Sequence, residues 1–115
     1  MSRPLRIAIA DDEAVIRSYF RRLLQRLGHE VVCEAATGRE LVEMCLSQRP
    51  DLIISDQHMP DLSGLEAGNE IAQTLSVPMI VVSAHDLPPD LDQNTTIVEF
   101  LPKPAKLTEL EAAIQ

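Results

Sequence analysis

The chain has 115 residues, 45% of them apolar and 24% charged, and its formal net charge is −8. These values fit one globular domain with an ordinary hydrophobic core and argue against a disordered chain. The acidic balance argues against direct nucleic-acid binding, which needs a basic surface, and fits basic partners or a bound cation.

No apolar run approaches the ~20 residues that cross a bilayer, and the N-terminus carries no apolar signal segment. No membrane association is expected, and the localisation expected is cytoplasmic. Cys33 and Cys45 lack CxxC spacing and sit inside apolar patterns, so they read as buried free thiols of a reducing compartment.

Leu5 to Ala10 has a strand pattern that stops at Asp11-Asp12-Glu13. A helix N-terminus accounts for part of this acidic run, with Asp12 as cap and Glu13 in the first turn. It leaves two adjacent aspartates at the end of a buried strand. Joined by a third carboxylate from a neighbouring strand, they are the hard oxygen ligands that Mg²⁺ prefers. Glu13 to Leu27 is expected as the first helix, with Ile16, Phe20, Leu23 and Leu27 on one buried stripe. Arg17, Arg21, Arg22 and Arg26 fall on the other faces as solvated charge, or as a basic face for an acidic partner. Gly28 closes the helix and His29 is expected to be exposed in the turn.

Glu30 to Ala35 is the second strand, broken by Thr37-Gly38. Arg39 to Gln48 is the second helix, with Leu41, Val42, Cys45 and Leu46 inward. The next stretch organises the chain. Leu52-Ile53-Ile54-Ser55-Asp56 is a short apolar run ending in a carboxylate, and turn residues follow through Ser63-Gly64. Such a run reads as a strand buried on both faces. Asp56 then lies at the carboxyl end of a central parallel strand, the edge where open α/β sheets bind ligands. The plain alternative is that Asp56 only starts the turn.

A third helix is expected over Leu65 to Leu75, with Ile71, Ala72 and Leu75 as its apolar face and Gly68 and Asn69 weakening it. Met79 to Val82 is a fourth strand ending at Ser83-Ala84. A hydroxyl there bonds the local backbone or donates to a ligand held by Asp56. Residues 85–96 carry Pro88, Pro89 and several acids, so the fourth helix is expected to be short or irregular. Ile97 to Leu101 is the fifth strand, followed by Pro102-Lys103-Pro104. Lys106 to Gln115 is the closing helix, with Leu107, Leu110 and Ile114 inward.

Alternating strands and helices give a parallel sheet covered on both faces. Asp11, Asp12, Asp56, Ser83 and Lys103 all fall just past carboxyl ends of strands and can converge. Three acids, a hydroxyl and an ammonium suit phosphoryl transfer to a carboxylate. The acids bind Mg²⁺, Asp56 attacks a phosphoryl group, and Lys103 and Ser83 stabilise its oxygens.

At these residues the chain resembles the receiver domain of two-component response regulators, over essentially its whole length. The resemblance is carried by Asp11-Asp12-Glu13, Asp56-Gln57-His58-Met59-Pro60 with Gly64, Ser83-Ala84 and Lys103-Pro104. It implies a doubly wound five-stranded parallel sheet of order 2-1-3-4-5, the flavodoxin-like fold, and one domain over residues 1–115, stand-alone or a fragment of a longer regulator. It implies Asp56 as phosphoacceptor and Mg²⁺ as cofactor. Asp12 and Asp56 would supply carboxylates, Asp11 would act mainly through water, and His58 would offer its backbone carbonyl. Ser83 and Lys103 would meet the phosphoryl group, and Ser83 with Phe100 would form the switch. Such a domain is not an enzyme in the turnover sense; it catalyses only its own phosphorylation and dephosphorylation. The implied partners are a histidine kinase or phosphotransfer protein and an output that the chain does not identify.

Residues 84–99 depart from the family pattern, lacking the usual glycine-alanine pair before the fifth strand. This puts in doubt a family-typical homodimer through helix four, strand five and helix five. His58 and His85 occupy positions thought to tune the lifetime of the acyl phosphate. Leu65-Glu66-Ala67 with Ile71-Ala72 is faintly similar to receivers joined to RNA-binding antiterminator domains, too faintly to assign one. Two rival functions stand beside the switch. A Mg²⁺-dependent phosphatase would need a general acid two residues after Asp56, where His58 stands. A degenerate receiver would act as a phosphorylation-independent protein-binding scaffold, and Mg²⁺ affinity separates it from a working switch.

Overall fold

The computed structural model describes residues 4–83 and 97–102, together with Ala112 and Ile114. The element order is β1 (Arg6–Ala10), α1 (Ala14–Arg26), β2 (Glu30–Ala35), α2 (Gly38–Gln48), β3 (Leu52–Asp56), α3 (Gly64–Ala72), β4 (Met79–Ser83) and β5 (Ile97–Pro102). The five strands form one parallel sheet of order β2-β1-β3-β4-β5. Ala112 and Ile114 are helical. The segment expected to hold a short fourth helix lies outside the described residues, as do His85 and Lys103.

Successive strand residues point to opposite faces, and both faces here are apolar. Ile7, Ile9, Leu52, Ile54, Ile80 and Val82 share one face with Phe20, Leu23 and Leu24 of α1, and Ile114 packs against them. Ala8, Ala10, Ile53, Met79 and Val81 share the other with Leu41, Val42 and Cys45 of α2 and Ala67 and Ile71 of α3. This is the doubly wound arrangement. β3 runs through its centre and is buried at every residue.

The helices differ from expectation at particular positions. The buried stripe of α1 includes Leu24, fully buried, while Leu27 is only half-buried. A crossing helix seats two residues per turn against a sheet, so Leu23 and Leu24 share the contact. Leu46 of α2 is exposed rather than inward, and Ala72 of α3 is exposed. α3 stops at Ala72, short of Leu75. Its last turn tightens, with the amides of Gln73 and Thr74 donating to the carbonyls of Glu70 and Ile71 three residues back.

His29 is not simply exposed: its Nδ1 accepts the Leu5 amide at 3.0 Å and ties the α1–β2 turn to the start of β1. Both cysteines are free and buried, as expected.

Candidate functional site

The carboxyl edge of the sheet gathers the acids. β1 ends at Ala10, and Asp11 follows, nearly fully buried. The Asp11 amide donates to the Ala35 carbonyl at 3.0 Å, which extends the β1–β2 pairing one step past the strand. Its Oδ1 accepts the Glu13 amide at 2.9 Å. Glu13, not Asp12, is the N-cap of α1, and no side chain caps the helix. Helix capping therefore does not explain the acidic run. Asp12 is exposed at the rim.

Asp56 closes β3 and is buried to 5% exposure. Asp11, Asp12 and Asp56 each present a carboxylate oxygen within 4.8 Å of the other two. Two buried carboxylates this close repel by on the order of 3 kcal/mol at an effective dielectric of about 20. A divalent cation relieves that repulsion. An octahedral Mg²⁺ has opposed ligands about 4.2 Å apart and keeps several waters, so a small cluster of hard oxygens open to solvent on one side fits it. The donor set contains no softer nitrogen or sulfur.

The loop after Asp56 is built to hold its shape. The Gln57 amide donates to Val82 of β4 at 3.1 Å, and the Gln57 side-chain oxygen accepts the Leu65 amide at 3.0 Å. The His58 amide points to Asp56 Oδ1 at 3.4 Å, and the His58 side chain is exposed. Ser63 caps α3 by accepting the Glu66 amide at 3.1 Å, while the Ser63 amide donates to the Glu66 carboxylate at 2.9 Å. This reciprocal capping satisfies two amides at once. Asp61, in the left-handed region at φ 63°, accepts the Leu62 amide at 2.7 Å and reaches across to the Arg39 amide at 3.1 Å. Beside the acids a surface cavity of about 430 Å³ opens, with Asp12, His58, Met59, Asp61 and Glu66 in its wall.

The structure thus brings together Asp11, Asp12 and Asp56, with the His58 backbone alongside. Ser83 ends β4, one residue beyond Val82, the register partner of Asp56, and is buried. Phe100 lies in β5 opposite Val81. On sequence grounds Arg17 reads as surface charge. Its Nη1 instead donates to the Asp11 carbonyl at 2.7 Å. The sequence does hold a signal for this: helical side chains lean toward the helix N-terminus, so a long cation in the first turn of α1 reaches back to the strand end. The role of Asp61 is also absent from the sequence reading, because its partner Arg39 is 22 residues away along the chain.

A doubly wound sheet with an acidic cluster at the carboxyl end of its central strands defines an α/β domain of the flavodoxin-like class. Comparison with known proteins narrows this. The family model described as "Response regulator receiver domain" matches residues 7–115, and the chain belongs to that family of two-component phosphoacceptor signalling domains. It is 36% identical to the transcriptional regulatory protein PdtaR of Mycobacterium tuberculosis, over 97% of this chain and 56% of that protein. It is 35% identical to the response regulator MprA of Mycolicibacterium vanbaalenii, over 97% of this chain and 49% of that protein. The chain therefore spans about half the length of both relatives. Among solved structures, the signal receiver domain of the putative response regulator NarL from M. tuberculosis superposes with a TM-score of 0.86 at 27% identity, covering 98% of this chain and 94% of that one. No described helix is long and apolar enough to cross a membrane.

Proposed function

We propose that residues 1–115 act as a single cytoplasmic receiver domain in which Asp56 accepts a phosphoryl group from a phosphohistidine donor on a histidine kinase or phosphotransfer protein. The observation that carries this reading is the meeting of three carboxylates, one of them at the buried end of the central strand, within 4.8 Å. An Asp56 oxygen attacks phosphorus in line, the P–N bond to the donor imidazole breaks, and the imidazole keeps the electron pair. Asp11, Asp12, Asp56 and the His58 carbonyl would hold Mg²⁺, which would neutralise charge on the phosphoryl oxygens.

Burial at the strand end would hold the nucleophile, and the Gln57 and Ser63 hydrogen bonds tie the loop that follows it to the start of α3. Ser83 would donate to the product phosphoryl group and Lys103 would pair with it. The added charge, near −2, would draw Ser83 inward, and Phe100 would follow, changing the affinity of the surrounding face for an output partner or a second copy of the chain. The exposed His58 imidazole, and His85, would set how readily water attacks the acyl phosphate.

Incubation with acetyl phosphate and Mg²⁺, followed by intact mass measurement, tests this. The expected result is a Mg²⁺-dependent gain of one phosphoryl group that Asp56→Asn abolishes. A protein that neither binds Mg²⁺ nor gains mass acts instead as a phosphorylation-independent scaffold.

A further inference from the structure

Arg17 lies in the first turn of α1, where a cation opposes the helix dipole. Its placement there is not a gain for the helix. Its Nη1 donates to the Asp11 carbonyl at 2.7 Å, in a partly buried contact. The oxygen of Asp11 and the nitrogen of Asp12 share one planar peptide unit. Holding that oxygen sets the orientation of the whole plane and the direction in which Asp12 leaves it.

Asp11 is tied at its other groups as well, by its amide to Ala35 and by its Oδ1 to the Glu13 amide. Its geometry is fixed by β1, β2 and the start of α1. Asp12 is different. It is exposed, and burial does not orient it. Yet its carboxylate stands within 4.8 Å of those of Asp11 and Asp56.

We propose that Arg17 is a positioning residue for the cation site: its guanidinium locks the Asp11–Asp12 peptide so that the exposed Asp12 carboxylate is presented to the point on which Asp11 and Asp56 converge. The inference rests on the Mg²⁺ reading above. Arg17 touches neither the ion nor the phosphoryl group; it acts through the backbone of Asp11.

Two effects of Arg17 have opposite signs, and this makes the role testable. As a bare positive charge near the acids, Arg17 repels a cation, and its removal would tighten Mg²⁺ binding. As a positioning residue it strengthens binding, and its removal weakens it. Groups that orient metal ligands typically change metal affinity by about 10-fold to 100-fold when removed, so Arg17→Met is expected to raise the Mg²⁺ Kd about 10-fold. Arg17→Lys keeps the charge and one donor able to reach the carbonyl, and should restore the Kd to within about 3-fold of the unaltered protein. Arg21→Met removes a charge one turn further along α1, where Arg21 pairs with Glu34 at 2.7 Å, and should leave Mg²⁺ binding unchanged.

The experiment is Mg²⁺ titration by calorimetry on the whole chain and these variants, with amide NMR of the metal-free proteins. Loss of order at Asp12 in metal-free Arg17→Met, rescued by Arg17→Lys, supports the inference, as does weaker Mg²⁺ binding by the folded Met variant. If Arg17→Met does not fold, Arg17→Gln, whose shorter stem withdraws the donor from the Asp11 carbonyl, takes its place: a displaced Asp12 amide with weaker Mg²⁺ binding supports the inference, and a protein identical to the unaltered one in both overturns it. Unchanged or tighter binding by folded Arg17→Met, or equal weakening by Arg21→Met, overturns it while leaving the Mg²⁺ reading intact. Failure of the unaltered protein to bind Mg²⁺ overturns both.

Discussion

Gly64 lies against the backbone of Asp56 so closely that a Cβ built on it would stand 2.5 Å from the Asp56 carbonyl oxygen and 3.3 Å from its carbonyl carbon. The same oxygen accepts the Ser55 hydroxyl at 2.8 Å, and the Gly64 amide donates to the Gln57 carbonyl at 2.9 Å. The first turn of α3 is thereby seated on the residue that would carry the phosphoryl group. A side chain at 64 has to push either the helix or the end of β3.

Gly64→Ala is therefore expected to cost about 1–3 kcal/mol, the usual penalty for overpacking a tight contact. It should also slow acetyl phosphate labelling of Asp56 in protein that remains folded. Urea unfolding and intact mass measured on the same sample would check both. Unchanged labelling at reduced stability would show that α3 moves and the strand end does not.

Asp61 joins the loop after β3 to the start of α2, where Thr37 also accepts the Glu40 amide at 3.1 Å. Asp61→Ala removes the acceptor for two amides and leaves a Cβ in the left-handed region. A loss of about 1–3 kcal/mol is expected. Asp61→Asn keeps an acceptor and tolerates the same backbone, so it should lie within about 0.5 kcal/mol of the unaltered chain. Denaturation midpoints of the pair decide between a hydrogen-bond role and simple charge.

Arg49 ends α2 in the left-handed region at φ 51°, a conformation in which glycine is not strained. Its carbonyl, which accepts Arg6 Nη1 at 3.1 Å, does not depend on the side chain. Arg49→Gly should raise stability by about 0.5–1 kcal/mol, offset in part by the greater freedom of glycine in the unfolded chain. A higher midpoint of chemical denaturation with an unchanged slope would bear this out.

Burial pushes the Cys45 thiol up to about 12 from its ordinary 9.0, and the charge of Cys33 adds to the rise. Burial also raises Cys33, with Arg6 acting against it. Folded-state values above unfolded ones mean that the contribution is fully present below about pH 9 and is lost as pH climbs toward 12, because the unfolded chain releases protons the folded chain keeps. Between about pH 9 and about pH 11, stability should therefore fall more steeply in the unaltered protein than in Cys45→Ala. Native thiols should also react slowly with a disulfide reagent near neutral pH, since the thiolate is the nucleophile.

The strands were legible because a strand buried on both faces must be apolar at every position, and Leu52–Ile54 and Met79–Val82 are. The acids were legible for the converse reason: a carboxylate immediately after such a run stands out against it, as Asp11 and Asp56 do. Helix faces were harder to read. Leu46 and Ala72 carry apolar side chains at inward-looking spacing, yet both are exposed, because the angle at which a helix crosses the sheet sets the width of its contact.

The sequence by itself determined the alternation of strands and helices, the burial of the sheet and the placing of Asp11, Asp12 and Asp56 at strand ends, since each follows from local periodicity and the cost of burying charge. Only the tertiary structure decided which distant groups meet. That Asp61 binds Arg39, that Gly64 must be bare against Asp56, that His29 holds Leu5 and that Arg17 turns back to the Asp11 carbonyl are matters of register between elements. A polar side chain can satisfy itself in water or against any suitable backbone group, and only the packed sheet selects the partner.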